Sequence, residues 1–251
     1  MTFGSVGLVR ALVRYTGVAA YGYIPLDVRI VDFGKPLTNG VAGMNFVIGV
    51  SGLRGAGKST FAKALAGRLR APMLLFDDYA YLPPSLPPDD VAEWIAAGAD
   101  PTWPVPALVA DLEALKAGHS IRSKAGEVLN PASVIIIEDP LGRLWQTLGG
   151  LLDFVVYVDT PHHVALARSF LRELLDDDPE GGANALRRRH IKWLKGYVRA
   201  HETLIRLEGD LRAQADLILD GLKPTEQLVE QFEAQFFHWL TERKGQTAGE
   251  P

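Results

Sequence analysis

The chain of 251 residues contains no cysteine. A disulfide framework, a thiolate zinc site and a cysteine nucleophile are therefore excluded. The sequence also has no apolar run that approaches the roughly 20 residues of a membrane-spanning helix. Its formal net charge of −4 provides no basic field for nucleic acid or anionic lipid. The absence of cysteine fits a reducing cytoplasm, so we expect a cytoplasmic protein. From the charge and the lack of a long apolar run, we expect that it binds neither nucleic acid nor a membrane. We also expect a monomer or homodimer.

Residues 1–44 differ from the rest of the sequence. Glycines recur in this segment, and no helical or strand period persists. Met44 stands directly before the first predicted core strand, so two interpretations stay open. The segment is either an extension upstream of a true start at Met44 or an N-terminal arm of the native protein. We divide the chain into this extension, a domain over residues 45–245 and a flexible tail over residues 246–251.

After residue 44, short apolar runs alternate with segments of helical periodicity, which is typical of a parallel sheet with crossover helices. The predicted strands are Phe46–Val50, Met73–Phe76, Ser133–Ile137, Phe154–Val158 and Leu217–Leu219. The predicted helices are Lys58–Leu69, Asp89–Gly98, Val105–Ala117, Pro161–Asp176, Ala185–Leu211 and Pro224–Leu240. Any interruption of the long basic helix Ala185–Leu211 is expected near Gly196. The pattern predicts an α/β three-layer sandwich around a five-stranded parallel sheet.

The segment between the first predicted strand and helix matches the pattern G-x-x-x-x-G-K-[ST] at every fixed position. It reads Gly-Leu-Arg-Gly-Ala-Gly-Lys-Ser over residues 52–59. Glycines permit positive φ and close backbone approach, so that successive N–H groups can surround phosphate oxygens at a helix N-terminus. The residues predicted to bind ATP are Gly52, Leu53, Arg54, Gly55, Ala56, Gly57, Lys58, Ser59 and Thr60. Lys58 would reach the β- and γ-phosphates, and the Ser59 hydroxyl would bind Mg²⁺.

Two further acidic sites follow predicted strands. Asp77 and Asp78 end the second strand, and Glu138 ends the third. In a doubly wound sheet the carboxyl ends of the strands open onto the ligand crevice. A carboxylate there can accept the proton of a substrate hydroxyl or help to hold Mg²⁺. Either aspartate could be the base, and the alternative is that both only cap the next segment.

These motifs together resemble uridine kinase and its relatives, the nicotinamide riboside, pantothenate and phosphoribulose kinases. The resemblance covers roughly residues 46–235. It implies a nucleoside/nucleotide-kinase-like P-loop NTPase fold in which Asp77 is the base toward the acceptor hydroxyl and Glu138 lies near Mg²⁺. Asp139 replaces a glycine of the family pattern. The segment from Asp153 to Pro161 also matches, and the sequence Ala-Asp-Leu-Ile-Leu at residues 215–219 resembles the closing strand of the family.

The resemblance also implies a lid at roughly residues 172–192, rich in arginine. Arginines on a lid could stabilise the charge of the transferring phosphoryl group. We predict this catalytic role for Arg172, although a solvated basic helix face is the plainer interpretation of any one of these arginines.

The sequence departs from uridine kinases where they bind the acceptor. Neither their base-binding hairpin nor their paired-arginine lid motif is recognisable. In their place stands an aromatic and proline-rich stretch, whose rings could stack on a planar or sugar-like acceptor or pack under a loop. The predicted substrate residues are Asp78, Tyr79, Tyr81 and Trp103.

The sequence therefore predicts an ATP- and Mg²⁺-dependent kinase that phosphorylates a hydroxyl of a small nucleoside-, vitamin- or sugar-like molecule. A regulatory ATPase without a small-molecule acceptor is the alternative. A GTPase switch is disfavoured because the chain lacks an N-K-x-D motif. A degenerate kinase fold kept as an interaction module is disfavoured by the intact Lys58, Ser59, Asp77 and Glu138.

Overall fold

The structure is a computed structural model that describes residues 45–79, 105–175 and 182–247. The predicted N-terminal extension, the predicted helix Asp89–Gly98 and the middle of the predicted lid lie outside the described residues.

Seven strands are present in the described part of the chain. They are β1 Phe46–Ser51, β2 Met73–Leu75, β3 Ile121–Arg122, β4 Val128–Leu129, β5 Val134–Glu138, β6 Phe154–Asp159 and β7 Leu217–Asp220. Five of them form one sheet in the order β2-β5-β1-β6-β7, and every pair in it is parallel. This arrangement confirms the predicted fold class. The short strands β3 and β4 pair antiparallel as a separate hairpin.

The described helices lie between the strands, except for the last, which follows β7. They are α1 Lys58–Leu69, α2 Phe76–Tyr79, α3 Pro106–Lys116, α4 His162–Leu174, α5 Gly182–Arg199, α6 His201–Ala213 and α7 Thr225–Thr247. Two single turns of 3₁₀-helix, Gly142–Leu144 and Gly149–Leu151, follow β5.

The predicted single helix Ala185–Leu211 is wrong, because α5 and α6 are separate helices. The chain leaves helical geometry at Ala200, with φ −88° and ψ 4°, and not near Gly196, which is buried within α5. Ala200 is itself a good helix former, so its sequence carries no signal for a break. Tertiary packing sets the bend, since Ala200 and Leu204 are buried immediately around it.

The central strands are buried on both faces, as expected for a parallel sheet between two helical layers. Every residue of β1 and β5 is buried. On one face of the sheet, Phe61 of α1 and Phe232 of α7 make an edge-to-face ring contact at 6.2 Å. On the other face, a buried cluster joins Leu112 of α3 to Trp145, which follows β5. These two cores hold the three layers together.

The starting ends of the strands are closed by side-chain carboxylates. Asp153 accepts a hydrogen bond from the Val47 amide at 2.9 Å, and Asp216 accepts one from the Val155 amide at 2.7 Å. Arg143 pairs with Asp216 at 2.6 Å and so ties the loop after β5 to this end of the sheet. Asp153 and Asp216 belong to the segments that resemble uridine kinases, and their contacts here are structural.

We expect Phe232→Ala to lower the free energy of unfolding by about 3–5 kcal/mol, the usual cost of removing a fully buried aromatic ring. The Phe232 ring has 0% exposure and stacks on Phe236 at 5.2 Å. Urea unfolding followed by circular dichroism measures the loss. Val198→Ala, at a side chain with 74% exposure, is the control and should change stability by less than about 0.5 kcal/mol. Similar losses in both variants would contradict the view that α7 covers a core.

Candidate nucleotide-binding site

The loop between β1 and α1 has the backbone geometry that its sequence predicts. Gly52, Gly55 and Gly57 have φ of 147°, 82° and 102°, a region that side chains with a Cβ rarely adopt. A Cβ on Gly55 would also lie 2.0 Å from the carbonyl oxygen of Ala165 in α4. Glycine is therefore required at this position for both conformation and space.

The N-terminus of α1 points its first amides into this loop. The helix begins at Lys58, and no side chain caps it. Helix N-termini carry partial positive charge and unpaired N–H groups, which together favour an anion. Lys58 adds a full positive charge in the same place, and the first turn holds no acidic residue.

Residues that directly follow β6 and β7 pack against the loop. Thr160, directly after β6, donates its hydroxyl hydrogen bond to the Ala56 carbonyl at 2.9 Å. The Gly221 amide, directly after β7, donates to the Asp159 carbonyl at 2.6 Å. A Cβ at Gly221 would lie 2.0 Å from the Thr160 hydroxyl. The ends of three strands are thus packed together beneath the loop.

A cavity of about 880 Å³ lies over the loop, within the size range of small-molecule sites. Its wall includes every residue of the predicted nucleotide-binding set from Gly52 to Thr60. It also includes three other predicted site residues, Asp77, Glu138 and Arg172. The fold therefore brings together residues that are up to 120 positions apart in the sequence, from Gly52 to Arg172.

Glu138 lies beside Lys58 on the floor of the cavity. The Lys58 ammonium is 3.5 Å from a Glu138 carboxylate oxygen and donates to the Leu53 carbonyl at 3.3 Å. Glu138 has 6% exposure. It ends β5, the immediate neighbour of β1 in the sheet, with Val50 as its partner in register. This register explains why a carboxylate 80 residues after Lys58 meets its ammonium group.

The Ser59 hydroxyl and the Glu138 carboxylate are suitable ligands for a magnesium ion. The Ser59 hydroxyl and the Glu138 carboxylate both line the cavity, and hydroxyl and carboxylate oxygens are ligands that Mg²⁺ accepts. In the described ranges no group of three or more His, Asp or Glu side chains could hold a metal by itself. That is compatible with Mg²⁺, which commonly takes one or two protein ligands together with phosphate oxygens.

Asp77 lies in α2, the single helical turn that follows β2. Strand β2 pairs with β5, with Leu75 opposite Glu138. Asp77 therefore stands two residues beyond the register partner of Glu138, and both carboxylates line the same cavity. The chain was predicted to remain in strand at Phe76, but the helical turn begins there.

The predicted substrate residues are not gathered in this cavity. Asp78 and Tyr79 are absent from its described wall. The Tyr79 hydroxyl donates to Asp111 of α3 at 2.8 Å, and burial together with this contact raises the pKa of Tyr79. Tyr81 and Trp103 lie outside the described residues. The β3–β4 hairpin, which the sequence did not reveal, contributes no residue to the cavity wall either.

Asp139 is a cavity residue whose importance the sequence reasoning missed. Its side chain has 0% exposure. One carboxylate oxygen accepts hydrogen bonds from the Leu141 amide at 2.8 Å, the Gly142 amide at 2.5 Å and the Trp145 indole at 2.9 Å. The other oxygen has no hydrogen-bond partner among the described residues. The replacement of the family's glycine by aspartate was the available signal.

Asp139 also contacts the turn that carries Asp77, through the side chains of Trp145 and Phe76. Trp145, held by Asp139, stacks on Phe76 with ring centroids 4.9 Å apart. Phe76 is the residue directly before Asp77 in α2. The buried carboxylate is thus joined through two aromatic rings to the turn that carries the predicted base.

Another part of the cavity wall consists of His162, Arg168 and Arg172 from α4 together with Trp193 and Tyr197 from α5. His162 contacts the Tyr197 hydroxyl at 3.0 Å and also contacts Glu208. Arg168 donates to the Gly221 carbonyl at 3.0 Å. Arg172 has no hydrogen bond or ion pair with the described residues, although it lines the cavity.

Comparison with curated proteins shows similarity to a uridine kinase. The chain is 23% identical over 203 residues to a uridine kinase from Clostridium tetani (strain Massachusetts / E88), which covers 70% of this chain and 94% of that protein. No family model matches the chain. The predicted resemblance to P-loop small-molecule kinases is confirmed.

Solved structures with partial similarity include three small-molecule kinases. A sugar kinase from Janibacter sp. HTCC2649 has a TM-score of 0.46 at 18% identity, over 76% of this chain and 94% of its own. A gluconokinase from Sinorhizobium meliloti 1021 has a TM-score of 0.45 at 16% identity, over 81% and 98%. Shikimate kinase from Aquifex aeolicus has a TM-score of 0.41 at 17% identity, over 82% and 100%.

None of the helices in the described segments is long and apolar enough to cross a membrane.

The buried Asp139 predicts a specific dependence of stability on pH. Burial raises the pKa of Asp139 from 3.8 to about 6, although its hydrogen bonds and the charge of Lys58 act in the opposite direction. Between pH 4 and 6 the folded state therefore binds more protons than the unfolded state, and stability falls as pH rises through this range. The total loss is up to about 3 kcal/mol.

We expect Asp139→Asn to remove this contribution. The difference in the free energy of unfolding between variant and wild type should shift in favour of the variant as pH rises from 4 to 7. Urea unfolding of both proteins across that range measures the difference, which cancels the titration of all other groups. A difference that does not vary with pH would show that Asp139 titrates normally.

Proposed function

We propose that this protein is an ATP- and Mg²⁺-dependent kinase that transfers the γ-phosphoryl group of ATP to a hydroxyl of a small nucleoside-, vitamin- or sugar-like molecule. The observation that carries the proposal is one cavity lined by residues 52–59, here called the phosphate loop and including Lys58, together with Asp77 and Glu138. Similarity in sequence to a uridine kinase supports it.

The proposed reaction is an in-line displacement at the γ-phosphorus. The acceptor hydroxyl oxygen forms a bond to the γ-phosphorus, and the bond from that phosphorus to the β–γ bridging oxygen breaks, so that ADP leaves. Asp77 accepts the proton of the hydroxyl, a role suited to a carboxylate at a strand end. Lys58 and the amides of the phosphate loop stabilise the negative charge on the phosphoryl oxygens.

Ser59 and Glu138 are the residues that would hold Mg²⁺, which neutralises phosphate charge when bound. The role of Lys58 follows from its position, since its ammonium already lies between the loop carbonyl of Leu53 and Glu138. Arg172 is proposed as a further cation toward the phosphoryl group, because its guanidinium lines the cavity without a described partner.

Mg²⁺-dependent release of ADP from ATP, measured against a panel of nucleosides, vitamins and sugars, tests the proposal. One acceptor should raise the rate well above the background of ATP alone, and Lys58→Ala should abolish the increase. ADP release that no acceptor stimulates, from a protein that binds ATP, would contradict the kinase and favour the regulatory ATPase.

We expect Asp77→Asn to lower kcat by about 10²- to 10⁴-fold, the usual contribution of a general base, with ATP affinity nearly unchanged. Steady-state turnover with the acceptor and calorimetric titration with ATP measure the two quantities. Asp78→Asn is the matched variant, one residue away and outside the described cavity wall. If Asp78→Asn is inactive and Asp77→Asn is not, the base is Asp78.

A further inference from the structure

Arg54 projects from the middle of the phosphate loop toward the wall formed by α4 and α5. Its guanidinium pairs with Glu173 near the end of α4. It also lies over the indole ring of Trp193 in α5, 5.1 Å from the ring centre. All three segments border the cavity, whose wall includes both Arg54 and Trp193. The side chain therefore crosses from the loop to that wall.

The charge of Arg54 is close to the proposed reaction centre. The pKa of Arg54 is lowered, mainly by partial burial and also by the charge of Arg172. The carboxylates of Glu173 and Asp77 act in the opposite direction. The guanidinium thus lies within electrostatic range of the proposed base Asp77, as well as on the loop that would surround the phosphates. Arginine stays protonated in proteins, so this positive charge is present at neutral pH.

The contacts of Arg54 leave most of its donors uncommitted. A guanidinium has five N–H donors in a planar fork. Among the described residues, Glu173 is the hydrogen-bond partner of the Arg54 guanidinium. Trp193 takes up its flat face without using an N–H group. The remaining donors are available to a planar or tetrahedral oxyanion, for which guanidinium is well suited.

The pair with Glu173 is also easily exchanged. The two side chains have 45% and 20% exposure, and ion pairs this exposed stabilise a protein by about 1 kcal/mol or less. Glu173 does not depend on Arg54, since it also contacts His190 at 2.8 Å and Arg189 at 3.5 Å. The guanidinium can therefore add a phosphate as a partner, or move to it, at small cost.

From this geometry we propose that Arg54 is a catalytic residue that contacts the γ-phosphoryl group, held over the phosphate loop by Glu173 and Trp193. The inference rests on the proposed nucleoside triphosphate site, and it places a phosphoryl-stabilising arginine on the loop itself in addition to Arg172. The other cavity arginines are placed differently. Arg168 is bonded to the Gly221 carbonyl, and Arg172 has no described contact that would hold it in position.

The γ-phosphoryl group is what distinguishes ATP from ADP, so the affinities of the two nucleotides test the inference without an acceptor. Titration calorimetry with Mg²⁺ would compare a non-hydrolysable ATP analogue with ADP. In Arg54→Gln we expect the affinity for the analogue to fall about tenfold or more, as for loss of a hydrogen bond to a charged group. The affinity for ADP should change by less than about threefold. Arg54→Lys, which keeps the charge but not the fork, should fall between wild type and Arg54→Gln.

The matched control is Arg122→Gln, on the β3–β4 hairpin away from the cavity wall, which should leave both affinities unchanged. Equal weakening of the analogue and ADP in Arg54→Gln would mean general damage to the loop and would overturn the inference, as would no change in either. Thermal melts of each variant establish that it is folded. A kinase panel without any stimulating acceptor would refute the kinase proposal, while the ratio of the two affinities would still decide the role of Arg54.

Discussion

The phosphate loop keeps its shape because backbone from elsewhere in the chain lies directly against it. The carbonyl of Ala165 fills the space beside Gly55, and the Thr160 hydroxyl holds the Ala56 carbonyl. A loop of this kind presents N–H groups in a conformation that is costly unless its surroundings enforce it. Here the enforcement comes from β6 and α4, so the anion site depends on the packing of the sheet as much as on its own glycines.

The order of the strands decides which side chains share the site with this loop. Because β5 lies beside β1, the Glu138 carboxylate is brought beside Lys58, which follows β1. Asp77, two residues beyond the end of β2, lines the same cavity. Parallel strands have their carboxyl ends at the same edge, which makes that edge the natural place for a ligand. The acids at the opposite edge, Asp153 and Asp216, are instead bonded to strand amides.

Much of this arrangement could be predicted from the sequence, because buried strands and a glycine-rich loop have strong local patterns. Helix α1 was predicted with its observed limits, and the limits of the five core strands were predicted to within one residue. The bend at Ala200 could not be predicted, since no residue there breaks a helix and tertiary packing sets it. The replacement of the family's glycine marked Asp139 as unusual, but its burial could not be predicted, because its three donors come from a turn that follows it. The contacts of Arg54 required α4 and α5 to be placed in space.

The amino-terminal and carboxyl-terminal ends of the strands differ in how they can tolerate substitutions. At the amino-terminal ends of the strands, Arg143 contacts Asp216 together with the carbonyls of Gln214 and Asp153. These groups satisfy one another, although the side-chain oxygen of Gln214 has no hydrogen-bond partner among the described residues. At the carboxyl-terminal ends of the strands, Asp139 and Arg54 keep polar atoms that make no hydrogen bond to a described residue. Substitutions should therefore be limited by folding at the amino-terminal ends of the strands and by the chemistry of the site at the carboxyl-terminal ends. Under the proposed function, a change of acceptor could proceed at the carboxyl-terminal ends of the strands while the contacts of Arg143 at their amino-terminal ends stayed intact.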